Sequence, residues 1–168
     1  MSETTSGAQN VPGQPLSRAL RPVIIRAVTE AQQRSSGAVE AEHLLLALSR
    51  DGSLPVRTVL ADAGLDPDGL DTALAAERAA SLRVAGVAQP PADRLAASPR
   101  LTRPRWGASA REALVRAHRV AAANRRQRSG ELDLLAAILG LELGTVPRVL
   151  TLAGVDRQGL LASARRAA

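Results

Sequence analysis

The sequence of 168 residues contains no cysteine, no lysine, no phenylalanine and no tyrosine, and a single tryptophan. Without cysteine there is no disulfide framework, no thiol nucleophile and no thiolate-ligated metal. Without lysine no Gly-x-x-x-x-Gly-Lys-Ser/Thr phosphate loop can be completed, so the chain carries no P-loop ATPase engine. Without phenylalanine or tyrosine the core must be built from Leu, Val, Ile and Ala, most of them good helix formers. No apolar run approaches the roughly 20 residues that span a bilayer. The N-terminus lacks the basic region and apolar stretch of a signal peptide. These absences lead to the expectation of a cytoplasmic, all-α protein without enzymatic activity, cofactor or membrane partner. At 45% hydrophobic residues the chain has enough apolar surface for a core.

All 22 basic residues are arginine, and the formal net charge is +6. Two readings of this stand side by side. A GC-rich genome favours arginine and alanine codons, which makes the bias compositional. Alternatively, arginine forks suit phosphate, and a pI near 11.5 prompts a nucleic-acid reading. The residues cluster at Arg94, Arg100, Arg103 and Arg105, and again at Arg125, Arg126 and Arg128. The alternative function is therefore an Arg-rich nucleic-acid-binding regulator, although no helix-turn-helix reading element accompanies it.

Internal repetition dominates the sequence. A shift of 90 positions, without gaps, superposes Arg26 on Arg116, Ala31 on Ala121, Leu44 on Leu134, Leu45 on Leu135 and Ala47 on Ala137. The same shift brings Val56 onto Val146, Leu60 onto Leu150, Ala63-Gly64 onto Ala153-Gly154, and Asp66, Gly69 and Leu70 onto Asp156, Gly159 and Leu160. Two units of roughly sixty residues result, and a unit of that size buries too little surface alone. The expected architecture is all-α: two pseudo-symmetric four-helix repeats, about eight helices, packed as one domain.

Residues 1–15 read as a disordered leader, rich in Ser, Thr, Gly, Gln and Pro. Repeat one occupies 16–83, an exposed proline-rich linker 84–106, and repeat two 107–168. Ser17 is the expected N-cap of a first helix ending at Ser35-Ser36-Gly37. A central helix from about Glu40 to Arg50 is apolar around most of its circumference and is expected to be buried. The third runs from about Pro55 to Ala63 with Gly64 as its stop, and the fourth from Asp66-Pro67 to about Arg83. The second set is expected at Ser109–Asn124, Glu131–Leu141, Thr145–Ala153 and Asp156–Ala167.

The segment Glu40-Ala41-Glu42-His43-Leu44-Leu45-Leu46-Ala47-Leu48 resembles the Gly-Thr-Glu-His-(Ile/Leu)-Leu-Leu-Gly-Leu element of the Clp N-terminal (Clp R) repeat domain found in ClpC- and ClpA-type AAA+ unfoldases. Val59-Leu60-Ala61-Asp62-Ala63-Gly64-Leu65 resembles that family's Leu-x-x-(Leu/Ala)-Gly-(Leu/Val) stretch. The resemblance covers about residues 17–166, and it most resembles the stand-alone Clp N-domain proteins of high-GC actinobacteria rather than a piece of a larger unfoldase. It implies a non-enzymatic module that docks protein substrates, adaptors, a Clp unfoldase or a peptide-like small molecule, and so modulates Clp chaperone–protease activity.

The resemblance also nominates ligand-binding residues. Glu42 matches the glutamate that contributes to a phosphoarginine pocket in ClpC-type relatives, where a carboxylate receives the guanidinium; equally, it is a first-turn acid favoured by its helix dipole. Repeat two has Leu132 and Asp133 at the Glu-His positions, and Glu131 falls one residue out of register, so any charged site is expected on one side only. His43 is either part of that mouth or a hydrogen-bonded structural residue. Trp106 aligns with Leu16, a place where relatives carry an aromatic lining the groove that receives peptides and cyclic-peptide antibiotics; it is equally a packing cap over the helix start. Neither His43 nor His118 has a partner at metal-ligand spacing.

Overall fold

The computed structural model describes residues 17–88 and 103–168. Leu16, Arg94 and Arg100, the leader 1–15 and most of the linker lie outside the described residues. Eight α-helices are present among those described: α1 (Arg21–Gln33), α2 (Ala41–Asp51), α3 (Leu54–Asp62), α4 (Pro67–Val84), α5 (Ala108–Ala123), α6 (Glu131–Leu139), α7 (Thr145–Leu152) and α8 (Arg157–Ala167). Two short strands, β1 (Ala38–Val39) and β2 (Arg105–Trp106), add a parallel bridge. The all-α expectation of two four-helix repeats holds.

Each repeat winds around its own central helix. The first helix packs on the second in both repeats, α1 on α2 and α5 on α6, and α2 and α6 meet each other at the centre. Helices three and four then cross over: α4 packs on α7, and α3 on α8. Burial follows from the apolar circumference of the central helices. His43 to Ser49 in α2 and Asp133 to Leu139 in α6 are buried along their whole length, as helices surrounded on all sides must be. A single cluster from Leu20 to Ala164 spans both repeats, so neither repeat has a separate core.

The 90-residue shift extends to the backbone. Gly64 and Gly154, in register, follow the ends of α3 and α7 with φ of 72° and 66°. Each closes its helix with paired bonds, Leu65 N to Leu60 O at 2.8 Å and Val155 N to Leu150 O at 2.9 Å, the arrangement that favours glycine. Ser35 and Arg125, also in register, are the two non-glycine residues at positive φ among those described (52° and 56°).

Two expectations need correction. Ser17 does not cap α1: a short 3-10 turn, Arg18–Leu20, intervenes, and the Ser17 hydroxyl is buried with no hydrogen-bond partner among the described residues. Pro22 near the start of α1 explains the later onset, since proline is tolerated only in a first turn. The linker is also not exposed to its end. Arg105 and Trp106 pair with Ala38 and Val39, and Trp106 is 6% exposed.

Candidate functional site

The mouth formed by the start of α2 is held by interlocking caps. Glu40 N donates to His43 Nδ1 at 2.9 Å. In register in repeat two, Gly130 N donates to Asp133 Oδ2 at 2.8 Å. His43 and Asp133 thus perform one job with different chemistry, each reaching back from the third helical position to the residue before the helix. His43 is 3% exposed, and burial together with the Arg34 guanidinium lowers its pKa from 6.5 to about 4. A neutral imidazole accepting at Nδ1 is what this position requires.

Glu40 turns its carboxylate away from its own helix toward the second repeat. Its Oε2 accepts from Ser109 N at 3.1 Å and from the Ser109 hydroxyl at 2.5 Å. The same hydroxyl accepts from Ala41 N at 2.8 Å. Gly107, before α5, leaves the space this carboxylate occupies: a Cβ there would lie 1.9 Å from Glu40 Oε1. Together with Gly107 N donating to Val39 O at 2.9 Å, these bonds clasp the start of α2 to the start of α5. Trp106 lies within this clasp, and its ring is packed into the shared core.

Glu42 is half-buried and faces the other repeat. The Thr145 side chain, at the first residue of α7, favours the charged form of Glu42. Burial raises its pKa, and the carboxylates of Glu40 and Glu77 raise it further, against the hydrogen bonds from its own backbone and Thr145. Glu131 lies one residue out of register. Its Oε2 accepts from Ser53 N at 2.6 Å, the residue before α3. Glu131 thus reaches the start of the third helix of the opposite repeat by a hydrogen bond, and Glu42 feels the start of α7 through its electrostatics.

Beyond Glu42 a groove of about 690 Å³ runs between α4 and α7, lined by Ala80, Val84, Pro147 and Leu152 with Glu77 and Arg148. Arg148 Nε lies 2.7 Å from Glu77 Oε1, and the Ser81 hydroxyl donates to the same oxygen at 2.6 Å. Glu77 is 5% exposed, while Val84 and Leu152 are open to solvent. Glu77 and Arg148 are not among the residues that the sequence nominates. The spacing Leu70, Ala73, Glu77 places a carboxylate on the buried face of α4, and that was the available signal.

A second ionic cluster lies at the outer face of repeat one. Glu30, fully buried on α1, accepts from Arg26 Nε at 2.9 Å and from Arg34. Arg50 Nε stands 3.0 Å from Glu30 Oε1, out of line for a hydrogen bond, so that contact is an ion pair. Arg34 and Arg50 both donate to Asp71 of α4. No group of His, Asp or Glu that could hold a metal occurs among the described residues. No helix among them is long and apolar enough to cross a membrane.

Two helical repeats sharing one core, clasped from the start of α2 to the start of α5 and grooved between α4 and α7, define a two-repeat helical domain. The Clp repeat (R) N-terminal domain model matches residues 2–63 and 15–103, which together cover more than half of the chain. The chain belongs to the Clp repeat (R) N-terminal domain family, a Clp-associated protein-interaction module. It is similar in fold to the N-terminal domain of the caseinolytic protease associated chaperone ClpD from Arabidopsis thaliana, with 18% identity and a TM-score of 0.60, covering 90% of this chain and 92% of that one. No curated protein matches the chain.

Proposed function

We propose that this chain is a non-catalytic docking module that takes extended segments of protein substrates or adaptors and thereby modulates a cytoplasmic Clp chaperone–protease. The observation that carries the reading is the groove between α4 and α7, where exposed Val84 and Leu152 flank the Glu77–Arg148 pair. Exposed apolar side chains gathered around a charged pair are what a short peptide segment can cover.

Glu42 supplies the polar end of this proposed site through its shared neighbour Glu77. A carboxylate whose charged form is disfavoured by burial and by two nearby glutamates gains from an incoming guanidinium. Phosphoarginine-marked proteins and peptide-like ligands such as cyclic-peptide antibiotics are ligands of this chemistry. In this reading His43 and Trp106 act as positioning residues, holding the start of α2 and the clasp behind it. Leu16 is retained as a proposed contact by its alignment with Trp106.

The test is a titration of a phosphoarginine-bearing peptide against the unmodified chain, Glu42→Ala and Leu152→Asp. Binding that weakens with both substitutions supports the site, and unchanged binding with Glu42→Ala removes Glu42 from it. Affinity for the guanidinium should also fall on acidification through the raised pKa of Glu42. The nucleic-acid alternative predicts instead a steep loss of DNA binding with salt.

A further inference from the structure

The two repeats differ where repeat one gathers its ionic cluster around buried Glu30. The 90-residue shift carries Glu30 onto Val120, Arg50 onto Gly140 and Asp71 onto Leu161, while Arg26 becomes Arg116. Repeat two has thus lost both carboxylates and the arginine that fills the space between them. It has gained Arg119 where repeat one has Thr29, and Arg165 where it has Ala75. The result is a groove of about 550 Å³ on the outer face of α5, α6 and α8, with a floor of Val115, Val120, Ala136 and Leu161.

Arg111, Arg116, Arg119 and Arg165 rim this groove, against a single acid, Glu112. Arg116 is engaged within the chain: Nη1 donates to Gly140 O at 2.9 Å, and Nη2 lies 2.6 Å from Glu112 Oε1. Arg111, Arg119 and Arg165 have no carboxylate partner among the described residues. All three are exposed, and Val115 between them is 45% exposed.

We infer that this groove is a second docking site, for an acidic peptide segment carrying an apolar side chain. Repeat one shows the interaction from within: buried Glu30 and half-buried Asp71 gather Arg26, Arg34 and Arg50 at the corresponding place. In repeat two the carboxylates are missing while arginines stand on the rim, Arg116 in register with Arg26 and Arg119 and Arg165 new, so a partner's carboxylates supply the counter-charge. The apolar floor, exposed by Val120, Gly140 and Leu161, receives a leucine-sized side chain. The match is one of charge and shape: guanidinium forks favour paired carboxylates, and a bare apolar floor favours a peptide over a polar polyanion. The site is separate from the groove between α4 and α7 and does not rest on that reading.

The probe is a fluorescein-labelled peptide of alternating glutamate and leucine, followed by anisotropy with the full chain. Expected are saturable binding that weakens with added salt, at least about tenfold weaker binding to Arg119→Ala/Arg165→Ala, and loss of binding when glutamine replaces glutamate in the peptide. Both substituted arginines are exposed, and circular dichroism with thermal melting shows whether the variant keeps its fold. Val120→Glu provides an independent variant, returning the carboxylate of repeat one to the groove; it should compete internally and weaken binding. Equal binding to the double-arginine variant, equal binding of the glutamine peptide, or tighter binding of a single-stranded oligonucleotide of equal charge at the same arginines would overturn the inference.

Discussion

Acidification places a heavy demand on His43. The imidazole is buried, accepts a hydrogen bond from Glu40 N, and has its pKa lowered from 6.5 to about 4 by burial and by Arg34, with Glu40 and Glu30 acting in the opposite direction. The unfolded chain therefore binds a proton in the window between those values that the folded chain does not, so this contribution to stability is full above about pH 6.5 and lost progressively as pH falls to about 4. At 1.36 kcal/mol for each pH unit, the contribution amounts to about 3 kcal/mol. Glu42, with its raised pKa, acts with the opposite sign. The comparison must therefore be with His43→Asn, whose amide oxygen can accept from Glu40 N without titrating. Urea unfolding of both proteins from pH 7.5 down to pH 4 should show the wild-type stability falling relative to the variant by about 3 kcal/mol. A difference that stays constant across the window, or a folded-state imidazole that titrates near 6.5 by NMR, would refute the buried-cap reading.

Three other perturbations test the architecture. Glu30→Ala removes the buried carboxylate shared by Arg26, Arg34 and Arg50 and should cost about 3 kcal/mol in chemical denaturation, because the gathered guanidinium groups lose their counter-charge. Gly107→Ala forces a methyl group into the Glu40 carboxylate and should destabilise by about 1–3 kcal/mol; in a Glu40→Ala background most of that cost should vanish, a coupling that a double-mutant cycle measures directly. Ser35→Gly relieves a left-handed backbone, φ of 52°, and should raise stability by about 0.5–1 kcal/mol, read as a higher melting temperature without change in any binding titration.

Much of the fold was legible because repetition leaves a register that can be counted. The same shift that aligned Leu44 with Leu134 also aligned Gly64 with Gly154, and the structure shows both glycines closing equivalent helices. Gly64 was readable as a stop because few residues tolerate its backbone angles. The strands were not legible: two residues each, they arise from the meeting of Ala38-Val39 with a segment far along the chain. Ser17 was misread because a local cap signature says nothing about an intervening turn.

The candidate site divides along the same line. Sequence alone determined that Glu42 and His43 begin a central helix, that repeat two differs there, and that no P-loop is present. Tertiary structure decided what those residues do. It turned His43 inward as a cap, with Asp133 as its counterpart, and sent Glu131 to the residue before α3, Ser53. It also emptied one place in repeat two that repeat one fills with Arg50. A sequence shift compares residue types at matched positions. Whether a carboxylate finds its partner within the chain or leaves an arginine facing solvent depends on which helices cross, and that is fixed only when the two repeats close around one core.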